Sequence, residues 1–211
     1  AEHGLKVVLA EKANPERSGS AAMGIDHYGG FPKGTSVLNM VNKAQKFISM
    51  TNGPGRFLDP NLNYKIYDSA FWALEELEKL GVSSKWDDGE YRWMPEPENS
   101  MRGGGTLRVH WQNIKPQLAK AVKERGVEIL QWTPIIDFLT NEDKIVGATA
   151  LNSRTGEFIV IKAKAVVVAT GSFGRCYEGE TPLPGKYKFK YHFCPASLSG
   201  DGHAAVYRAG G

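Results

Sequence analysis

Apolar residues between Leu62 and Leu80 repeat at helical spacing. Tyr67, Ala70, Phe71, Leu74 and Leu77 fall on one face, and Gly81 stands where a left-handed residue stops a helix. Glu75, Glu76, Glu78 and Lys79 read as the solvated side of this helix. Gln112 to Arg125 predicts a second helix, with Ile114, Leu118, Ala121 and Val122 inward and Gly126 as its stop. Ser36 to Met50 predicts a third, with Leu38, Val41, Ala44 and Ile48 on one side, ending at Asn52-Gly53-Pro54-Gly55.

Other apolar runs have strand length. Lys6-Val7-Val8-Leu9-Ala10 reads as a buried parallel strand, and Val127-Glu128-Ile129-Leu130 as a short strand directly after the second helix. Pro134 to Thr140, Lys144 to Leu151 and Glu157 to Ile161 follow closely, joined by Asn141-Glu142-Asp143 and Ser153-Arg154-Thr155-Gly156. That spacing predicts an antiparallel meander. Lys164 to Gly171 is rich in β-branched residues and predicts a strand buried on both faces, ending in a glycine turn. Asn14 to Gly24 and Gly29-Gly30-Phe31-Pro32 read as loop, and Ser83 to Gly105 as an irregular excursion over a cleft. No repeat, heptad or low-complexity tract is present, and the fold class is α/β.

With 211 residues, the chain can bury the core of one large domain or two small ones. An apolar fraction of 41% without a long uncharged apolar run describes a globular chain with no membrane span. The net charge of +3 is too mild to imply nucleic acid or an anionic membrane surface. Cys176 and Cys194 have no partner at C-x-x-C spacing, so neither a zinc site nor a cysteine-ligated cluster is written here and no metal ligand is assigned. Two isolated cysteines suit a reducing compartment, with a single disulfide left open. No signal peptide is visible.

Glu11, at the carboxyl end of the first strand, carries the sharpest chemical signal. In a dinucleotide-binding fold an acidic residue there accepts hydrogen bonds from a ribose, about 20 residues after a G-x-G-x-x-G loop. Only five residues precede this strand, and G-x-G-x-x-G occurs nowhere in the chain. The expectation is a fragment: a second nucleotide-binding strand without the first strand and its glycine loop, exposing an unpaired sheet edge. The plainer alternative is a solvated rim glutamate.

Three segments carry a family resemblance: V-V-L-A-E-K with R-S-G-S-A-A-M-G (7–12 and 17–24), A-V-V-V-A-T-G-S-F-G (165–174), and S-G-D-G-H-A-A-V-Y-R-A-G-G (199–211). In this order, around a meander, they resemble the flavoprotein subunits of the succinate dehydrogenase and fumarate reductase family, with the adenylylsulfate reductase alpha subunit as a close relative. The resemblance implies a partial Rossmann-like FAD-binding domain of the glutathione-reductase type, with an inserted loop/helix region and a β-meander. Its parts would be 1–30 (second Rossmann strand and cofactor loop), 31–111 (insert), 112–175 (helix, strand, meander and return strand) and 176–211 (lead into a capping domain).

Placed by this resemblance, Glu11 would bind the FAD ribose. Lys12, Ser18, Gly19, Ser20 and Gly24 would line the pyrophosphate and isoalloxazine, where small residues let backbone amides approach. Ile135 or Ile136 would present backbone to the adenine, Ala169-Thr170-Gly171 would pass close to the cofactor, and Asp201 would hydrogen-bond on the flavin side just before a helix starting near His203. Where many relatives carry a histidine joined covalently to FAD, this chain has Gly19, which implies non-covalent FAD. The resemblance further implies an FAD-dependent oxidoreductase acting on a small anionic substrate of the fumarate/succinate type. Its alternatives are an adenylylsulfate-reductase-like enzyme and a non-catalytic electron-transfer scaffold. It implies an iron–sulfur electron-transfer subunit as partner, and a place in the cytoplasm or peripheral to the inner membrane through that partner. No catalytic residue is assigned, because the family's substrate-binding Arg and His residues lie downstream of the G-D-G segment.

Plainer readings compete elsewhere. Asp201 also suits an N-cap or a turn. Arg102, Arg108, His110 and His27 either face an anionic substrate or are surface residues. Lys186 to Tyr191 alternates lysine with aromatics and reads as a two-faced strand rather than a nucleic-acid platform.

Overall fold

The computed structural model describes residues 1–30, 32–38, 59–94, 106–173, 195 and 197–211. Most of the helix expected over 36–50, the Asn52–Gly55 turn, Arg102, both cysteines and the Lys186–Tyr191 run lie outside these residues. The chain divides into two compact units, one formed by 1–23 with 119–211 and the other by 24–118.

In the first unit, β1 (Val8–Ala10) pairs in parallel with β5 (Glu128–Leu130), Leu9 opposite Ile129. Among the described residues β5 is the only strand paired to β1. β6 (Ile135–Asn141), β7 (Lys144–Leu151) and β8 (Phe158–Lys162) form the expected antiparallel meander, with β7 in the middle. Ala148 and Ala150 of β7 are buried, while Phe158 and Val160 of β8 face outward. Helix α3 (Asp201–Arg208) starts two residues before the expected His203, after Gly200 in the left-handed region.

The run 164–171 departs from expectation. It forms no strand, and Val167 is 90% exposed, with Val166 and Val168 also exposed. Its β-branched residues favour extended backbone, but burying both faces requires a neighbour on each side. No strand among the described residues pairs with it.

In the second unit, α1 (Pro60–Lys79) begins at Asp59, whose carboxylate accepts the backbone N–H groups of Asn61 at 2.8 Å and Leu62 at 3.4 Å. Pro60, at the first helical position, has no N–H to leave unsatisfied there. Ala70 and Leu74 carry the buried face. Helix α2 (Ile114–Glu124) spans the division between the units and buries Ile114, Ala119 and Ala121.

The three-stranded sheet of this unit departs from the loop reading. β2 (Ile25–Gly29) and β3 (Arg92–Met94) both pair antiparallel to β4 (Thr106–Trp111). β2 lies between the two stretches read as loop, 14–24 and 29–32, and only Gly29 falls inside them; its period is broken by a bulge between Ile25 and His27. In β4, Leu107, Val109 and Trp111 are buried while Arg108 and His110 face out, a clean period of two. Gly24 enters this sheet at φ +98°, where a Cβ would lie 2.6 Å from the Gln112 Cα, so only glycine fits.

Leu74 is fully buried, whereas Trp72, two residues earlier on α1, is 62% exposed. Leu74→Ala is expected to cost about 2–5 kcal/mol. Trp72→Ala should cost about 0.5 kcal/mol or less. Chemical denaturation of the two variants checks the orientation of α1; equal losses would contradict it.

Candidate functional site

Glu11 is held at the end of β1 by backbone bonds that continue the β1–β5 pairing past the strand. Its N–H donates to Leu130 O at 3.0 Å, its carbonyl accepts Thr133 N–H at 2.8 Å, and Ala13 O accepts Trp132 N–H at 3.1 Å. The Glu11 carboxylate accepts the Ala13 N–H through Oε1 at 3.0 Å. The 130–133 segment that fixes Glu11 runs into Ile135, the first residue of β6, so these two sequence-predicted positions belong to one backbone frame.

Lys12 reaches across to the turn before α3. Its Nζ donates to Ser197 O at 2.8 Å, to Ser199 Oγ at 3.0 Å and to Asp201 Oδ2 at 2.5 Å. Ser199 Oγ in turn donates to Asp201 Oδ1 at 3.0 Å, so both carboxylate oxygens are engaged. The Lys12 hydrogen bond, joined by that of Ser199 and the ammonium charge, holds the Asp201 carboxyl below its ordinary range against the opposing effect of burial.

Thr170 and Gly171 meet the same turn from another side. A Cβ on Gly202 would fall 2.0 Å from Thr170 Oγ1, and one on Gly171 2.9 Å from Leu198 Cδ2. Glycine at 202 therefore permits the contact between the 169–171 segment and the start of α3. An open cleft of about 510 Å³ lies beside this contact, lined by residues including Val168, Thr170, His203, Val206 and Tyr207. At its far end α3 is clasped to the meander. Arg208 Nε donates to both Asp137 oxygens at 3.1 Å, and its Nη2 donates to Ile136 O at 2.8 Å.

The contacts that gather Lys12, Thr170, Gly171 and Asp201 do not include Ser20 or Gly24. Ser18, Gly19 and Ser20 follow Lys12 through successive turns closed by Arg17 N–H to Asn14 O and Ala22 N–H to Gly19 O, each 3.2 Å. Gly24 belongs to the other unit, as do His27, Arg108 and His110. There His27 and Arg92 stand opposite Arg108 on neighbouring strands, His27 Nδ1 lies 2.7 Å from Asp26 Oδ1, and His110 meets the edge of Trp86 at 4.3 Å. Ser199, Asp137 and Arg208 escaped the sequence reading. Only Ser199 leaves a trace in the sequence, a hydroxyl two residues before an Asp-Gly turn.

Because Asp201 is depressed in the folded chain, its contribution to stability is fully present above the ordinary carboxylate range. It is lost as pH falls through the lower, folded value. Asp201→Asn should therefore lower stability at pH 7 and leave a flatter loss below about pH 4 than the parent chain shows. Urea unfolding of both proteins from pH 2 to 7 measures this; parallel curves would contradict the Lys12–Asp201 pairing.

The family described as FAD binding domain matches residues 1–211. The 8-methylmenaquinol:fumarate reductase flavoprotein subunit of Wolinella succinogenes is 25% identical over 216 residues, covering 98% of this chain and 32% of that protein. Adenylylsulfate reductase from Archaeoglobus fulgidus superposes with a TM-score of 0.68 at 24% identity, over 98% of this chain and 32% of that one. The open conformation of a flavocytochrome c3 fumarate reductase gives a TM-score of 0.73 at 20% identity, over 99% and 36%. At such identities the two solved structures speak for the fold alone, and they agree with the α/β, Rossmann-like class expected from the sequence. The chain spans about a third of the length of the curated relatives it matches.

Proposed function

We infer the function from one premise: the chain belongs to the FAD-binding domain family. Its cofactor is FAD, and we propose that the protein is the flavoprotein part of an oxidoreductase acting on a small anionic substrate of the fumarate/succinate type. The single observation that supports a cofactor edge here is the meeting of Lys12, Thr170–Gly171 and Asp201–Gly202 around one turn. These residues come from three segments far apart in sequence. A flavin supplies two-electron chemistry when bound, and the protein supplies binding, orientation and electrostatics.

In this reading the Glu11 carboxylate accepts from the adenosine ribose, leaving Oε1 on the Ala13 N–H. Ser18, Gly19, Ser20 and Gly24 lie along the pyrophosphate and isoalloxazine, the Ile135 backbone faces the adenine, and Ala169, Thr170 and Gly171 border the cofactor. Gly19 takes the place of a covalently linked histidine, so FAD is held non-covalently. Residues 1–30 and 112–175 form the cofactor frame, 31–111 an insert, and 176–211 the approach to a capping domain.

A second reading, reduction of a sulfur compound, is favoured by the R-S-G pattern at 17–19. An iron–sulfur electron-transfer subunit is the proposed redox partner, with peripheral attachment to the inner membrane through it. No helix among the described residues is long and apolar enough to cross a membrane.

The exposed, unladdered 164–168 run makes one wall of the proposed site weak. The purified chain should bind FAD in equilibrium titration yet lose most of it on desalting, and the flavin should leave in free form on acid denaturation. Absorbance spectra before and after each step test this. Stoichiometric flavin surviving desalting would contradict the weak wall, and flavin remaining on the denatured polypeptide would contradict non-covalent binding.

A further inference from the structure

We propose that Lys12 is a positioning residue of the FAD site: its ammonium grips the 197–201 turn rather than the cofactor, and so aims the Asp201 carboxylate and the first turn of α3. This rests on the reading of Asp201 as a cofactor contact and gives Lys12 a different task from lining the pyrophosphate.

The argument is one of donors and acceptors. An ammonium carries three N–H donors. All three Lys12 donors have acceptors on this turn, namely Ser197 O, Ser199 Oγ and Asp201 Oδ2 at 2.8, 3.0 and 2.5 Å. None remains for a phosphate while the turn is closed.

The grip has fixed ends on both sides. Lys12 lies between Glu11 and Ala13, whose backbone groups are bonded to Leu130, Trp132 and Thr133. Helix α3 is anchored at its other end by Arg208 on Asp137 and Ile136. Ser199 shares the load: it takes a bond from Lys12 and gives one to Asp201 Oδ1, which fixes the plane of the carboxylate as well as its position. A carboxylate so held keeps one further acceptor site on each oxygen for a donor from the cofactor. The depressed Asp201 carboxyl agrees with this geometry.

The test uses the full chain and the substitutions Lys12→Met, Lys12→Arg, Asp201→Asn and the Lys12→Met/Asp201→Asn double change. Without FAD, carbon-13 NMR follows the titration of the Asp201 carboxyl. Its midpoint should rise to the ordinary carboxylate range in Lys12→Met and stay low in Lys12→Arg. With FAD, equilibrium titration at pH 7 should show Lys12→Met and Asp201→Asn weakening binding by a similar factor, about ten-fold. The double variant should be no weaker than the weaker single one, and Lys12→Arg should recover most of the loss.

An Asp201 midpoint indifferent to Lys12→Met would overturn the clasp itself. Losses that multiply in the double variant to about a hundred-fold would mean that Lys12 touches the cofactor directly, and would also overturn the proposal. A shifted midpoint with unchanged FAD affinity would leave the clasp standing, but would remove Asp201 from the cofactor site and the positioning role with it. Should Lys12→Met fail to fold, Ser199→Ala replaces it: it must raise the Asp201 midpoint and weaken FAD in the same direction, or the proposal fails.

Discussion

One lysine ties together two parts of the chain that stand 189 residues apart. Lys12 leaves the end of β1 and closes on the turn that starts α3, which ties the Asp201 side of the candidate site to the strand that carries Glu11. As an ion pair its energy is modest. Lys12 is 37% exposed and Asp201 48%, and a pair so wet contributes about 1 kcal/mol or less. Its importance is geometric. The entropy of closing a loop grows only slowly with length, so a distant contact is tolerable where other contacts share the ordering. Arg208 on β6 and the fit of Gly202 against Thr170 are those contacts.

A run that looks like core is not core, for want of neighbouring strands among the described residues. Val166, Val167 and Val168 have the composition of a central strand, yet they are exposed, and among the described residues the segment's close contacts lie at its end, at Thr170 and Gly171. Strand burial is a property of a ladder, and a β-branched run without neighbours keeps its apolar faces in solvent.

What the sequence made legible follows from how local each signal is. Helix α1 announces itself through a long apolar stripe and Gly81, and the meander through short runs separated by turn residues; both rest on near neighbours. The β2–β4–β3 sheet was hidden because β3 is only three residues long and β2 carries a bulge that breaks the period of two. Thr106 to Trp111 does alternate, but Arg108 and His110 read as residues flanking the glycine-rich turn before them rather than as the outward face of a strand. Of the proposed cofactor positions, Glu11 drew notice from its place at a strand end, while Gly171 and Asp201 were placed by the family resemblance. The partners that hold them were not visible. Nothing near Lys12 in sequence announces Ser197 and Ser199, and nothing near Arg208 announces Asp137, because such pairings are made by tertiary closure alone.

Hydrogen exchange of the backbone, measured on the chain alone and with excess FAD, tests the central claim most directly. If the Lys12-held turn is one edge of the cofactor site, FAD should slow exchange at residues 9–13 and 197–204 together, as one cooperative region. Protection confined to one of these segments, or none at either, would contradict it.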